Sequence, residues 1–196
     1  MVKLKVLIEG YAKEKNGVEV ASCSTTLLRE NNLNIIVDPG MNRALLLESL
    51  KKEGLATSDI DYIVVTHTHL DHCFLVGIFE NAKVLDNDSV YSSDGIISSH
   101  NGKIPETDIE IIKTPGHDQF HCSVLADTQE FGRVIMAGDV FWWRTGDIQE
   151  TSEDDLLHRV DPYMKNETQL TESRKLILKT ADYVVPGHGK MFKIKG

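Results

Sequence analysis

The segment YIVVTHTHLDH, residues 62–72, is a β-branched apolar run that opens into three histidines and an aspartate within six positions. Such a run reads as a short buried strand, so any fold for this chain must place His67, His69, Asp71 and His72 where a strand leaves its sheet. Histidine is the commonest metal ligand, and aspartate supplies the hard oxygen that a divalent ion also accepts. In His67-x-His69 the two side chains fall on one side of an extended segment and converge on one ion. Asp71 and His72 follow where the chain turns into a helix, and they point elsewhere. A single ion has trouble collecting all four groups from so short a stretch; two ions do not. The pattern H-x-H-x-D-H arises by chance in roughly one chain per thousand of this composition.

Three later loops repeat one device. TPGHDQ places His117, MAGDVF places Asp139 and VPGHGK places His188, each after an expected strand and beside a glycine. Glycine lets backbone approach a site without a side chain in the way. Five histidines and two aspartates are what two metals bridged by a carboxylate require.

The remaining pattern is mixed. Strands are expected around 2–11, 21–29 and 33–38, with an amphipathic helix over 42–54 and a second helix from Leu70 towards Phe79. Further strands fall at 108–114, 121–127, 133–138 and 182–190, and helices at roughly 152–159 and 166–180. Helices able to cover sheet faces imply layered α/β architecture. A chain of 196 residues suits a single domain, 1–196. No apolar stretch approaches the roughly 20 residues that span a bilayer. The start, MVKLKVLIEG, alternates like a strand rather than a signal sequence, so a cytoplasmic location with no membrane partner is expected. Cys23, Cys73 and Cys122 form no C-x-x-C pair and read as reduced thiols. The formal charge of −9 does not point to nucleic acid, which needs a basic face. A dinuclear centre would, however, add positive charge where a phosphate binds.

His67-Thr-His69-Leu-Asp71-His72, followed in order by His117, Asp139 and His188, resembles the metallo-β-lactamase superfamily, and the likeness runs from NIIVDPG to PGHGK. The resemblance implies an αββα sandwich of four layers with the metals at one edge between two sheets. It implies one metal on His67, His69 and His117, another on Asp71, His72 and His188, and Asp139 bridging them. Asp38, in IIVDPG, matches a family position that supports a ligand histidine; its other reading is a turn aspartate before Pro-Gly. His121 matches a histidine that relatives often carry without direct ligation. It reads as contacting a ligand or the substrate, or as filler at a strand end. The β-lactamases of the main class carry Cys where this chain has Asp139 and are exported, so antibiotic hydrolysis is not the expected role. The flavodiiron enzymes replace the second histidine with Glu, glyoxalase II adds a helical domain, and the RNA-processing nucleases add large insertions. The chain looks most like small stand-alone members.

The chemistry implied is hydrolysis. Two ions about 3.5–4 Å apart hold a hydroxide between them, formed because the metal lowers the pKa of bound water towards ~7. That hydroxide attacks an ester, thioester, lactone or phosphodiester. Asp71, a ligand first, also orients the nucleophile and is the catalytic candidate. The cofactors expected are two divalent ions, zinc foremost, with iron or manganese also accepted by a His/Asp set. The alternatives are a phosphodiesterase or ribonuclease of the same fold and a mononuclear iron dioxygenase of persulfides. Loops 10–20, 86–104 and 142–165 are expected to read a small-molecule or phosphodiester substrate, and a homodimer burying an apolar edge is compatible with the sequence. Adjacent strand residues face opposite ways, so at most one of Trp142 and Trp143 lines the cleft, with Arg144 beside them. Cys73 and Cys122 read as apolar filler, His100 and His158 as surface residues, and SEDDLLHRVD, residues 152–161, as a capped helix start.

Overall fold

A computed structural model describes residues 1–195; Gly196, the last residue of the expected domain span, lies outside them. The first half of the chain forms β1 (Lys3–Ile8), β2 (Tyr11–Lys15), β3 (Val18–Ser22), β4 (Thr25–Glu30), β5 (Leu33–Val37), α1 (Arg43–Lys52), β6 (Tyr62–Val64), α2 (Leu70–Cys73), β7 (Lys83–Leu85), β8 (Ser89–Tyr91) and β9 (Ile97–Ser99). The second half forms β10 (Glu110–Lys113), β11 (Cys122–Thr128), β12 (Gly132–Trp142), α3 (Glu153–His158), α4 (Glu167–Thr180), β13 (Tyr183–His188) and β14 (Phe192–Lys193). One sheet runs β1-β4-β5-β6-β7-β8-β9 and the other β10-β11-β12-β13-β14, while β2 and β3 stand apart as a hairpin.

Strand alternation builds the layers. Ile35 and Val37 of β5 and Tyr62 and Val64 of β6 face Val124, Val134, Met136 and Val185 of the second sheet, forming the core between the sheets. Their alternates, Ile36 and Ile63, turn outward onto Leu46 and Leu50 of α1. In the second sheet Leu125, Ile135 and Val184 turn outward onto Leu156 of α3 and Leu170 and Ile177 of α4. Helix, sheet, sheet, helix is the expected αββα order. Each large aliphatic side chain fully buried in these three cores contributes about 1.5–3 kcal/mol.

The parallel pairs position the site. β5 pairs parallel with β6, and β12 with β13. Just past β5 and β6 stand Asp38, Thr66 and His67, and these meet Asp139 and His188 from the other sheet. Pairing of β12 with β13 slips between Met136 and Gly138 and again before Trp142, an irregularity of the kind that re-aims a side chain. Gly138 there takes φ +51°, and a Cβ on it would lie 2.6 Å from His121 Nε2 and 2.7 Å from Thr66 Oγ1.

Three expectations change. Residues 2–29 form four strands, not two: the chain leaves the sheet after Ile8, the Gly10 amide donates to Ser24 Oγ, and an Asn16-Gly17 turn with both φ positive closes the β2–β3 hairpin. The helix expected from Leu70 to Phe79 is one turn, α2, followed by a 3₁₀ turn at Val76–Ile78. There the Leu75 amide donates to Gly40 O, so a tertiary bond replaces helical continuation. The short strands β7 to β9 carry too few apolar residues to announce themselves. The helices near 152–159 and 166–180 are present as expected, with Ser152 and Asn166 capping them. Among the described residues no helix is long and apolar enough to cross a membrane.

Candidate metal centre

All seven ligand candidates converge at the edge between the sheets. His67, His69, His117 and Asp139 bring one ligand atom each to within 4.8 Å of one another, and so do Asp71, His72 and His188. Asp139 stands between the two groups with its oxygens divided. Its Oδ2 lies 3.5 Å from His117 Nε2 and 3.9 Å from His67 Nε2, and its Oδ1 lies 3.2 Å from His72 Nε2 and 3.7 Å from His188 Nε2. Asp71 Oδ2 is 3.1 Å from His188 Nε2, and His69 Nδ1 faces His117 Nε2 at 3.2 Å.

The rings are held from behind. His72 Nδ1 bonds Asp38 Oδ2 at 2.7 Å, His117 Nδ1 bonds Asp161 Oδ2 at 2.6 Å, His188 Nδ1 reaches the Tyr11 carbonyl at 3.1 Å, and His67 Nδ1 meets Thr66 Oγ1 at 3.1 Å. Each of these bonds leaves Nε2 aimed inward, the arrangement by which outer partners fix the rotation and tautomer of metal-binding imidazoles. Asp38 therefore backs His72 and is more than a turn residue. It adopts φ +52°, held there by the Thr66 amide and hydroxyl, which donate to it at 2.8 and 2.7 Å.

The inward atoms fit a cation. His67 Nε2, His72 Nε2 and Asp139 Oδ1 are buried without a hydrogen-bond partner among the described residues; although His72 Nε2 and Asp139 Oδ1 are close, they are not aligned to bond. Orphaned buried polar atoms cost about 1–3 kcal/mol each, and a divalent ion satisfies nitrogen and oxygen together. Imidazole with carboxylate suits zinc, iron or manganese. Electrostatics agree. Burial, aided by the neighbouring rings, holds His67 well below the ordinary histidine range and lowers His69. Burial opposes ionisation of Asp139, yet His72 and His188 outweigh it and keep this carboxylate well below its usual range. Burial also opposes charge on His72, but the Asp139 and Asp38 carboxylates around it raise its pKa. A field that holds a proton on His72 would hold a metal cation in its place. Cys23 lies behind Asp38, and burial pushes its thiol up to about 12, so it stays a reduced, protonated thiol.

Other candidates separate. His121 is buried, its ring 5.0 Å from that of His67 and its Nδ1 2.9 Å from Thr114 Oγ1. Burial, then His117, depresses it to about 3. It backs the site as a neutral ring and does not border the cleft. Trp142 borders the cleft, whereas Trp143 packs in the outer core beneath Arg159, whose guanidinium lies 4.5 Å from its ring. That cleft, about 510 Å³, opens over His69, Asp71, Asp139 and His188 between the β2–β3 hairpin and the segment Trp142–Tyr163. Residues 86–104 do not reach it: Asp86–Ser89 and Tyr91 line a separate hollow behind His67. Cys122 is core filler as expected, and Cys73 is half-buried. His158 is exposed, but half-buried His100 pins its loop through Nε2 and the Asp86 carbonyl, 3.0 Å apart.

Asp161 is the residue the sequence did not reveal. It closes SEDDLLHRVD, of which only the first part, 152–158, is the capped helix start. Its contact with His117 spans 44 residues, and no local pattern announces it.

Comparison with known proteins agrees with the fold. The sequence profile of the metallo-beta-lactamase superfamily matches residues 18–90. The Xenopus laevis protein called metallo-beta-lactamase domain-containing protein 1 is 30% identical over 96% of this chain, which spans 80% of that protein. The chain spans between 59% and 63% of the mouse, rat and human counterparts. A Thermotoga maritima crystal structure provisionally called a metallo-beta-lactamase superposes with a TM-score of 0.74 at 23% identity, covering 98% of this chain and 99% of that one. A dizinc quorum-quenching lactonase, crystallised with the product N-hexanoyl-L-homoserine, superposes with a TM-score of 0.63 at 18% identity, covering 91% and 78%. Both structures share the fold.

Proposed function

This chain belongs to the metallo-beta-lactamase superfamily, and from that premise we propose that it is a dinuclear metal-dependent hydrolase of a small carboxylic ester, thioester or lactone, acting as one domain over residues 1–196. One ion would be held by His67, His69 and His117 and the other by Asp71, His72 and His188, with Asp139 in reach of both groups. The observation that carries this reading is the divided carboxylate of Asp139, one oxygen towards each histidine group. Zinc is the favoured metal. When bound, the ions would supply a hydroxide nucleophile at neutral pH and a Lewis acid for the scissile carbonyl.

The protein's own groups do the rest. Asp71, half-buried at the floor of the cleft and fixed through Oδ2 to His188, orients the attacking water. Asp38 and Asp161 keep His72 and His117 in their inward-facing rotamers. The cleft volume lies within the range of small-molecule sites, roughly 300–1,000 Å³. Its walls are mostly apolar, from Val20 and Ala21 of the hairpin to Trp142, and the charges of Glu14 and Glu19 along it are balanced by Lys13 and Arg144. The apolar walls, with the net charge of −9, favour a carbonyl substrate over a polyanionic phosphodiester. The lactonase of the same fold supports the choice.

The test is metal per chain, by elemental analysis of protein purified without chelators, followed by an ester, thioester and lactone panel. Two equivalents and turnover of one class, abolished in His67→Ala and Asp71→Ala with circular dichroism unchanged, are expected. Full activity in either variant refutes the reading. One tightly held iron with oxygen uptake moves the assignment to sulfur oxidation.

A further inference from the structure

Trp142 belongs to the wall of the cleft, yet its polar edge does not face the cleft. The indole Nε1–H donates to Asp161 Oδ1 at 3.3 Å, while Asp161 Oδ2 takes the His117 Nδ1–H at 2.6 Å. The carboxylate between them is buried, and its Oδ1 also accepts from the Tyr163 amide at 3.0 Å. The backbone on either side is pinned: Arg159 Nε donates to the Trp142 carbonyl at 2.7 Å, and Arg174 Nη1 donates to the Arg159 carbonyl at 2.7 Å. On its other side the Trp142 ring stands edge-on to His188, 6.3 Å between centroids. One side chain thus touches the cleft, the backing carboxylate of one histidine group and a ring of the other.

We propose that Trp142, Asp161 and His117 form one hydrogen-bonded unit through which the cleft wall controls how tightly the His67–His69–His117–Asp139 group retains its ion. This rests on the metal reading of the site. A carboxylate satisfies both its neighbours in only one rotation: if the indole shifts, Oδ1 follows it or loses it, and a turn of the carboxylate takes Oδ2 off His117. Outer partners of this kind change metal affinity because they fix ligand orientation. Since coupling in equilibrium binding is reciprocal, a molecule that presses on Trp142 alters metal retention and the metal alters its binding by the same factor. Asp161 and Trp142 are positioning residues, acting through His117 rather than on substrate atoms.

The experiment is a double-mutant cycle with zinc alone as the probe. Zinc affinity is measured by competition with a chromophoric chelator for the native chain, Trp142→Phe, Asp161→Asn and the double variant, all checked for folding by thermal melting. Phenylalanine keeps the apolar ring and removes only the N–H; asparagine keeps the shape of the carboxylate. Asp161→Asn is expected to weaken one zinc site by about 10–100-fold, and Trp142→Phe by about 2–10-fold, the span of one hydrogen bond. In the Asp161→Asn background Trp142→Phe is expected to add nothing, and the zinc-dependent change in tryptophan emission should vanish with Trp142. A Trp142→Phe effect that is absent, opposite in sign or equal in both backgrounds overturns the inference. A native chain that binds no zinc refutes instead the metal reading beneath it, a distinct result.

Discussion

Gly187 offers the sharpest test of the divided carboxylate. A Cβ built on this glycine lies 1.8 Å from Asp139 Oδ1 and 2.9 Å from the Gly138 carbonyl carbon. Its φ lies outside the left-handed region, so alanine there brings a collision rather than backbone strain. Ordinary carbon–oxygen contact begins near 3.4 Å, so the carboxylate must retreat by about 1.6 Å in Gly187→Ala. The retreat moves Oδ1 out of its present place 3.2 Å from His72 Nε2 and 3.7 Å from His188 Nε2. Overpacking of this kind costs about 1–3 kcal/mol, and a misplacement of about 1 Å in a catalytic array costs on the order of 100-fold in rate. The expectation is therefore specific: Gly187→Ala folds with a lowered melting temperature, holds one metal per chain instead of two, and loses about 100-fold in kcat/KM. Elemental analysis, thermal melting and steady-state kinetics on one preparation decide it. A variant that keeps two equivalents and native kinetics would show that Asp139 Oδ1 serves no metal, and the dinuclear argument would fail.

Other expectations follow from neighbouring contacts. Asp38→Ala strips a buried acceptor from the Thr66 amide, the Thr66 hydroxyl and His72, and should cost about 3 kcal/mol in urea unfolding. Chelation should lower the melting temperature and added zinc restore it, since an ion at 100 times its Kd stabilises by about 2.7 kcal/mol. Burial opposes ionisation of Asp86, but donation from the Asp88 and Ser89 amides and the Tyr91 hydroxyl overcomes it and lowers its pKa. With the folded value below the unfolded one, Asp86 contributes stability that is present above about pH 4 and lost as pH falls through the folded value. In metal-free protein, Asp86→Asn should flatten the acid side of the stability profile, and parallel profiles would contradict this.

The candidate ligands were legible because their chemistry is local. His67, His69, Asp71 and His72 fall in one segment, and His117, Asp139 and His188 each stand beside a glycine, although Asp139 lies inside β12, which continues to Trp142 past its expected end at 138, and His188 is the last residue of β13. The layers were legible from apolar alternation and from long helices such as α4. Less readable were elements whose stability comes from partners far along the chain. The break at Gly10, the single turn of α2 and the strands β7 to β9 depend on bonds to Ser24, Gly40 and neighbouring strands rather than on their own residues.

The sequence by itself determined which groups could bind a metal and that His67 stands just past a buried strand, because ligand type and strand periodicity are properties of short stretches. Only the tertiary structure decided how those groups are divided and held. The split of Asp139 between two histidine groups, the Tyr11 carbonyl of the hairpin behind His188 across 177 residues and Asp161, from the segment between α3 and α4, behind His117 all arise from contacts between distant parts of the chain. A hydrogen bond between distant residues leaves no periodic trace in either segment, so Asp161 looks like any aspartate in an acidic run until the fold carries it to the ring it holds.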